Sequence, residues 1–250
     1  MDIKPYVDHT NQLYSLYKEL NLQSIDDFHA EAEERWNKTN FMSYFIDITR
    51  SVENIHPFID SDFKMYDDFV LLSGDIKFCA GMLNYLYPHV TTRHNEISSN
   101  LIDRRYIMHI SFGYQSIYQF WDRIGDLLWH FFKTGLGKDS VFTGRVLTNL
   151  PNQYKETSPY IALKALFDEF KEFFDVRHDV VHSFTLGTEI YWKRNSAYGD
   201  SEMQQQLIDK MKYYRDAITE SLPSCINALD LALQLILEIN RLGQVVLTDG

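Results

Sequence analysis

A chain of 250 residues that is 45% hydrophobic and 15% aromatic is globular rather than disordered, and it is long enough to bury a sizeable core. A formal charge of −11 with a pI near 5.2 is not the overall composition of a nucleic-acid-binding protein. Eleven glycines and six prolines are few for this length and favour long, unbroken helices.

The N-terminal Met-Asp-Ile-Lys-Pro lacks the apolar core of a signal peptide, and the apolar runs, such as 231–237, are short and interrupted. Cys79 and Cys225 each sit in an apolar helical pattern and read as buried free thiols. The expectation is a cytoplasmic protein with no membrane span.

In chain order, the first helix covers 7–20, with Leu13, Leu16, Tyr17 and Leu20 on one face. A second helical region starts at Ser24, breaks near Lys38-Thr39-Asn40 and closes before Pro57. A third runs over 62–87 to Tyr87-Pro88, and a polar stretch follows to Asn100. The fourth, 101–133, carries a wide apolar arc of Ile110, Tyr114, Ile117, Ile124, Leu128, Phe131 and Phe132, so it is central. Gly125 near that arc allows close approach of a neighbour. Residues 134–157 form a long connection with a short helix near 140–147. Ser158 as N-cap and Pro159 at the first position start the fifth helix, which continues to Phe184. Residues 186–200 read as turn-like, with 189–192 extended. The last helix, 201–242, is kinked or restarted at Pro223 and stopped by Gly243. The fold class is all-α, an up-and-down helical bundle with additional N-terminal helices. Residues 1–100 are expected as an extension packed on the same domain as 101–250.

The most informative stretch is Arg177-His178-Asp179-Val180-Val181-His182, which follows the aromatic run Leu166 to Phe174. With Arg177 at zero and 100° per residue, Phe170 falls at about 20°, Phe173 at −40° and Phe174 at 60°. Arg177 is thus centred on the apolar arc, and a guanidinium there must be paired or open onto a cleft or interface. Asp122 or Asp126 of the fourth helix is a plausible partner. His178 and His182 fall one turn apart on the flank of the arc. An arginine that neutralises phosphate and a histidine that moves a proton are the groups phosphodiester chemistry needs. The bland alternative is a buried ion pair with incidental histidines, and a motif this short carries it about as well.

Arg177-x-x-x-x-His182, after a Phe- and Leu-rich helix in an all-helical chain, resembles the signature of the HEPN superfamily (higher eukaryote and prokaryote nucleotide-binding domain), with His178 in its polar position. The run Tyr118 to Leu128 is similar to the helix that packs against the motif helix in bacterial members. The resemblance covers about 101–242. It implies metal-independent RNA cleavage, with the ribose 2′-hydroxyl attacking the adjacent phosphate, at a site shared by two protomers. It further implies a homodimer, no metal and no cofactor. Many members are toxins or defence effectors, with an antitoxin or other protein partner, and some are non-catalytic binding modules. Arg177, His182 and His178 are then the catalytic set, with Asp122, Asp126 and Asp179 as supporting carboxylates. Trp192, Lys193 and Arg194, an aromatic-basic cluster, are candidates for RNA contact. The segment 133–194 carries nine Lys/Arg against eight Asp/Glu, so the motif lies in the least acidic large part of the chain.

Two metal readings compete. His178-Asp179-Val180-Val181-His182 has the histidine spacing of a zinc protease, but Asp stands where Glu is needed and the third ligand must come from Glu189, Asp200 or Glu202. Glu53-x-x-His56 echoes a di-iron motif, yet His56 precedes Pro57 at a helix end.

Overall fold

The computed structural model describes residues 4–28, 34–52, 62–90, 101–171, 173–174, 186–197 and 199–248. Among these residues the structure is helical and contains no strand. The helices are α1 (Lys4–Glu19), α2 (Phe41–Ser51), α3 (Asp62–Leu86), α4 (Leu101–Phe131), α5 (Thr143–Asn149), α6 (Asn152–Lys155), α7 (Ser158–Glu169), α8 (Leu186–Ser196) and α9 (Ser201–Thr248). The fold is the expected all-α helical bundle.

Most boundaries follow local chemistry. Ser24 caps a short 3-10 turn, Ile25–Asp27, and its backbone N–H donates to Asp27 Oδ2 at 2.5 Å. The chain bends through 37–40, where Asn37 takes φ 52°, and Asn40 then caps α2 by accepting from Ser43 N at 2.8 Å. Three expectations are corrected. The cap of α7 is Thr157, which leaves Ser158 and Pro159 in the first turn. Gly243 does not stop α9, which carries Pro223 in its interior and extends to Thr248. Residues 186–196 are helical rather than turn-like or extended; buried Ile190 anchors a helix that propensity alone would not favour.

The chain divides into two compact units. The first comprises Met1–Gln23, Gly74–Ile117 and Glu172–Pro223. Its core holds Ile76, Cys79, Leu83, Tyr106, Ile110, Tyr114, Ile218 and Leu222, all fully buried. Gly113 faces Ile218 and Cys79 so closely that a Cβ would crowd the isoleucine. Tyr106 locks α4 to α9 by donating its hydroxyl to Met211 O at 2.8 Å.

The second unit comprises Ser24–Ser73, Tyr118–Lys171 and Ser224–Gly250. Phe41, Phe45, Phe69, Phe120, Trp121, Leu128 and Ile236 form its core. Gly125 is the close-approach glycine the sequence suggests: a Cβ there would meet the backbone of Thr143 at 2.8 Å. Thr143 uses that proximity to donate its hydroxyl to Trp121 O, fixing α5 on α4. Both cysteines are buried and free, and burial pushes the Cys79 thiol up to about 12.

Averaged over a window, segments Phe63–His89 and Ser201–Leu242 are apolar and long enough to cross a membrane, although no uninterrupted apolar run reaches that length. More than half of each window is buried inside the protein, as in the core helices of a globular fold.

Candidate functional site

The approach to the motif is built by three phenylalanines. Phe167 meets the Trp121 ring edge-on at 5.5 Å, and Phe170 lies tilted against the same ring at 5.2 Å. Phe173 stacks flat on Tyr114 at 3.9 Å. Both Phe170 and Phe173 are buried, which agrees with the apolar face read from the sequence.

The helix carrying them is not continuous. Helix α7 ends at Glu169, and Phe170 takes φ −81° and ψ −2° with its N–H on Phe167 O. Residues 171 and 173–174 resume helical geometry. A tightened turn shifts the 100° phase, so wheel angles do not carry from Phe170 to Arg177. The phases of Phe173 and Phe174 lie beyond the break. Asp168 bridges it, paired with Lys164 at 2.5 Å and Lys171 at 2.9 Å; those hydrogen bonds hold its carboxyl below the usual range.

Arg177, His178, Asp179 and His182 lie outside the described residues, as do Glu53 and His56. The supporting carboxylates on α4 are described. Asp122 is half-buried. Asp126, also half-buried, pairs with Arg123 at 2.5 Å, and Arg123 in turn reaches Asp68 at 3.0 Å. Asp126 thus already has a cation. Trp192 is 66% exposed and Lys193 is exposed beside it on α8; Arg194 shares that helix. Asp200, considered above as a metal ligand, is instead the cap of α9: its Oδ1 accepts from Glu202 N at 3.0 Å and Met203 N at 3.1 Å. Among the described residues no group of three or more His, Cys, Asp or Glu side chains could hold a metal ion.

Two buried polar atoms near this region lack a hydrogen-bond partner among the described residues: the Tyr114 hydroxyl and His109 Nδ1. Burial pushes the Tyr114 pKa far up, and neighbouring Tyr213 and Tyr214 add to it. His109 is packed edge-on against Phe78 at 5.5 Å; burial lowers its pKa and Arg105 lowers it further.

One buried charge escaped the sequence reading. Asp230, 3% exposed, accepts from Arg35 Nη2 at 2.9 Å, Trp36 Nε1 at 3.1 Å and Tyr44 Oη at 2.8 Å. An aspartate inside Ala228-Leu229-Asp230-Leu231-Ala232 is as anomalous as an arginine in an apolar arc. Its partners are nearly two hundred residues upstream, which no local pattern reveals.

Comparison with known proteins completes the assignment. Residues 79–243 match the family model described as HEPN_Cthe2314-like HEPN, about two thirds of the 250-residue chain. Searches among curated proteins and among solved structures find no match. The matched span includes the Arg-x4-His motif and the α4 run Tyr118 to Leu128, so the sequence resemblance and the family model coincide. The chain belongs to the HEPN_Cthe2314-like HEPN family.

Proposed function

We infer that the protein is a metal-independent endoribonuclease acting as a homodimer, with Arg177 and His182 at a cleft shared by two protomers. The observation that carries this reading is the position of the motif. It lies inside the matched family span and begins four residues after Phe173, whose ring is clamped on Tyr114. In the reaction the ribose 2′-oxygen bonds to the adjacent phosphorus as the bond to the 5′-oxygen breaks. The 2′-hydroxyl proton goes to a base, and a proton is returned to the departing 5′-oxygen. His182 performs proton transfer, Arg177 stabilises charge on the phosphoryl oxygens, and His178 orients or binds the phosphate. Exposed Trp192 and Lys193 offer stacking and phosphate contact to the strand. A toxin or defence role with an antitoxin partner belongs to the same reading.

Incubation of pooled RNA with wild type and with His182→Ala tests it: wild type cuts, leaving 2′,3′-cyclic phosphate ends, and the variant does not. Equal cutting by both refutes the assignment. The net charge of −11 favours a second reading, a non-catalytic HEPN module, because phosphate contacts normally dominate RNA affinity. A folded wild type that binds RNA or a protein without cutting RNA supports that second reading.

A further inference from the structure

Helix α1 lies outside the span matched by the family, and together with α3 it borders an open surface cavity. Three contacts seat it there. His9 meets Tyr85 edge-on at 5.0 Å, Lys77 Nζ stands 4.8 Å from the Tyr17 ring centre, and Tyr17 rests on the bare backbone of Gly81, where a Cβ would overlap its ring. The cavity measures about 460 Å³, within the size range of small-molecule sites. It is lined from α1 by residues including Gln12, Ser15 and Glu19, and from the end of α3 and the turn after it by Asn84, Tyr85 and His89.

The walls offer acceptors. Ser15 Oγ donates its proton to Asn11 O at 3.0 Å. Asn84 Nδ2 donates to Ala80 O at 2.9 Å and to Thr219 Oγ1 at 3.1 Å, which uses both of its amide hydrogens. Ser15 and Asn84 therefore present oxygen lone pairs, and Glu19 adds a carboxylate. His89 adds an imidazole ring to the same wall. The Tyr85 ring has a π face of negative potential. Among the described residues no lysine or arginine lines the cavity. Asn11 and Gln12 add amides that can accept as well as donate, and among the described lining residues of Asp, Glu, Lys and Arg type Glu19 is the one formal charge. An N–H donor carrying positive charge would find a counter-ion, neutral acceptors and an aromatic face, whereas a phosphate or carboxylate would meet the Glu19 charge with no lysine or arginine among those residues to offset it.

We propose that this cavity binds a small aliphatic ammonium compound of the polyamine type, with an ammonium group held between the Glu19 carboxylate and the Tyr85 ring. The inference is independent of RNA cleavage and assigns a ligand site to a helix that the family match does not cover.

Isothermal titration of the 250-residue chain with spermidine tests it, using wild type, Glu19→Gln, Ser15→Trp and Glu202→Gln. All three substitutions are at exposed positions, and melting curves check the fold. Wild type is expected to bind saturably at one site. Glu19→Gln keeps the shape, removes the charge and weakens binding about tenfold or more. Ser15→Trp fills the cavity and abolishes binding, with Gln12→Trp standing in if the first variant melts early. Glu202→Gln, a surface carboxylate away from the lining, leaves binding unchanged. Lack of saturable binding by wild type overturns the proposal, as does binding that survives the tryptophan variants or falls equally in Glu202→Gln. Saturable binding of inorganic phosphate abolished by Ser15→Trp would also contradict it.

Discussion

The ring of Phe173 lies flat on that of Tyr114, with centroids 3.9 Å apart and planes inclined by 11°. Tyr214 closes the other approach edge-on at 5.8 Å. This stack fixes Phe173 on α4 four residues before Arg177.

The two members of the stack should respond differently to substitution. Phe173→Ala removes a buried ring and is expected to cost about 3–4 kcal/mol. Tyr114→Phe keeps the stack and deletes a buried hydroxyl that lacks a hydrogen-bond partner among the described residues, so stability should hold or rise slightly. Denaturant titration of both variants checks this; a large loss in Tyr114→Phe would mean the hydroxyl has a partner.

Gly125→Ala is expected to destabilise the protein by about 1–3 kcal/mol, because the added methyl meets Thr143 backbone rather than a side chain that could swing away. A melting temperature equal to wild type would show that α5 shifts freely on α4.

Asp230→Ala leaves the Trp36 and Tyr44 donors unsatisfied and is expected to cost about 3 kcal/mol. The cost stays below that of a fully enclosed pair because the Arg35 side chain is 43% exposed and water can replace its partner. Chemical denaturation measures it, and a loss no greater than that of an exposed surface substitution would contradict the lock.

Stability should also fall on mild acidification. Burial lowers the pKa of His109 and of His130; Arg105 reinforces the first, while at the second Asp126 opposes and Lys138 reinforces. In the unfolded chain both titrate near 6.5, so below that pH the unfolded state holds more protons than the fold. The contribution is complete above 6.5 and is lost as pH falls from there through the lowered values. Melting curves of wild type and His109→Gln should converge as pH drops, since the variant lacks one of the two groups. A parallel decline in both would show that His109 contributes no slope.

Legibility in the sequence followed the range of the forces. The helices α1, α3, α4 and α9 were readable because each repeats apolar residues over many turns, and Gly125 was readable because a small residue beside an apolar arc has few other uses. The end of α7 at Phe170 was not, because Phe167 and Phe170 both turn to Trp121 while Phe173 turns to Tyr114, and periodicity alone does not reveal such competition. Helix α8 was missed because its sequence, Leu-Gly-Thr-Glu-Ile-Tyr-Trp, carries strand propensity that tertiary anchoring of Ile190 overrides. At the site, the motif and the family were both legible in Arg177 and His182. The pairing of Asp126 with Arg123 was equally available as an i, i+3 pair.

The most direct test of the central claim is cleavage of a defined RNA by wild type, Arg177→Ala and His182→Ala, with and without EDTA. The account predicts cutting by wild type that survives the chelator, 2′,3′-cyclic phosphate on the upstream product, and loss of cutting in both folded variants. Cleavage that EDTA abolishes, or that either variant retains at the wild-type rate, would contradict it.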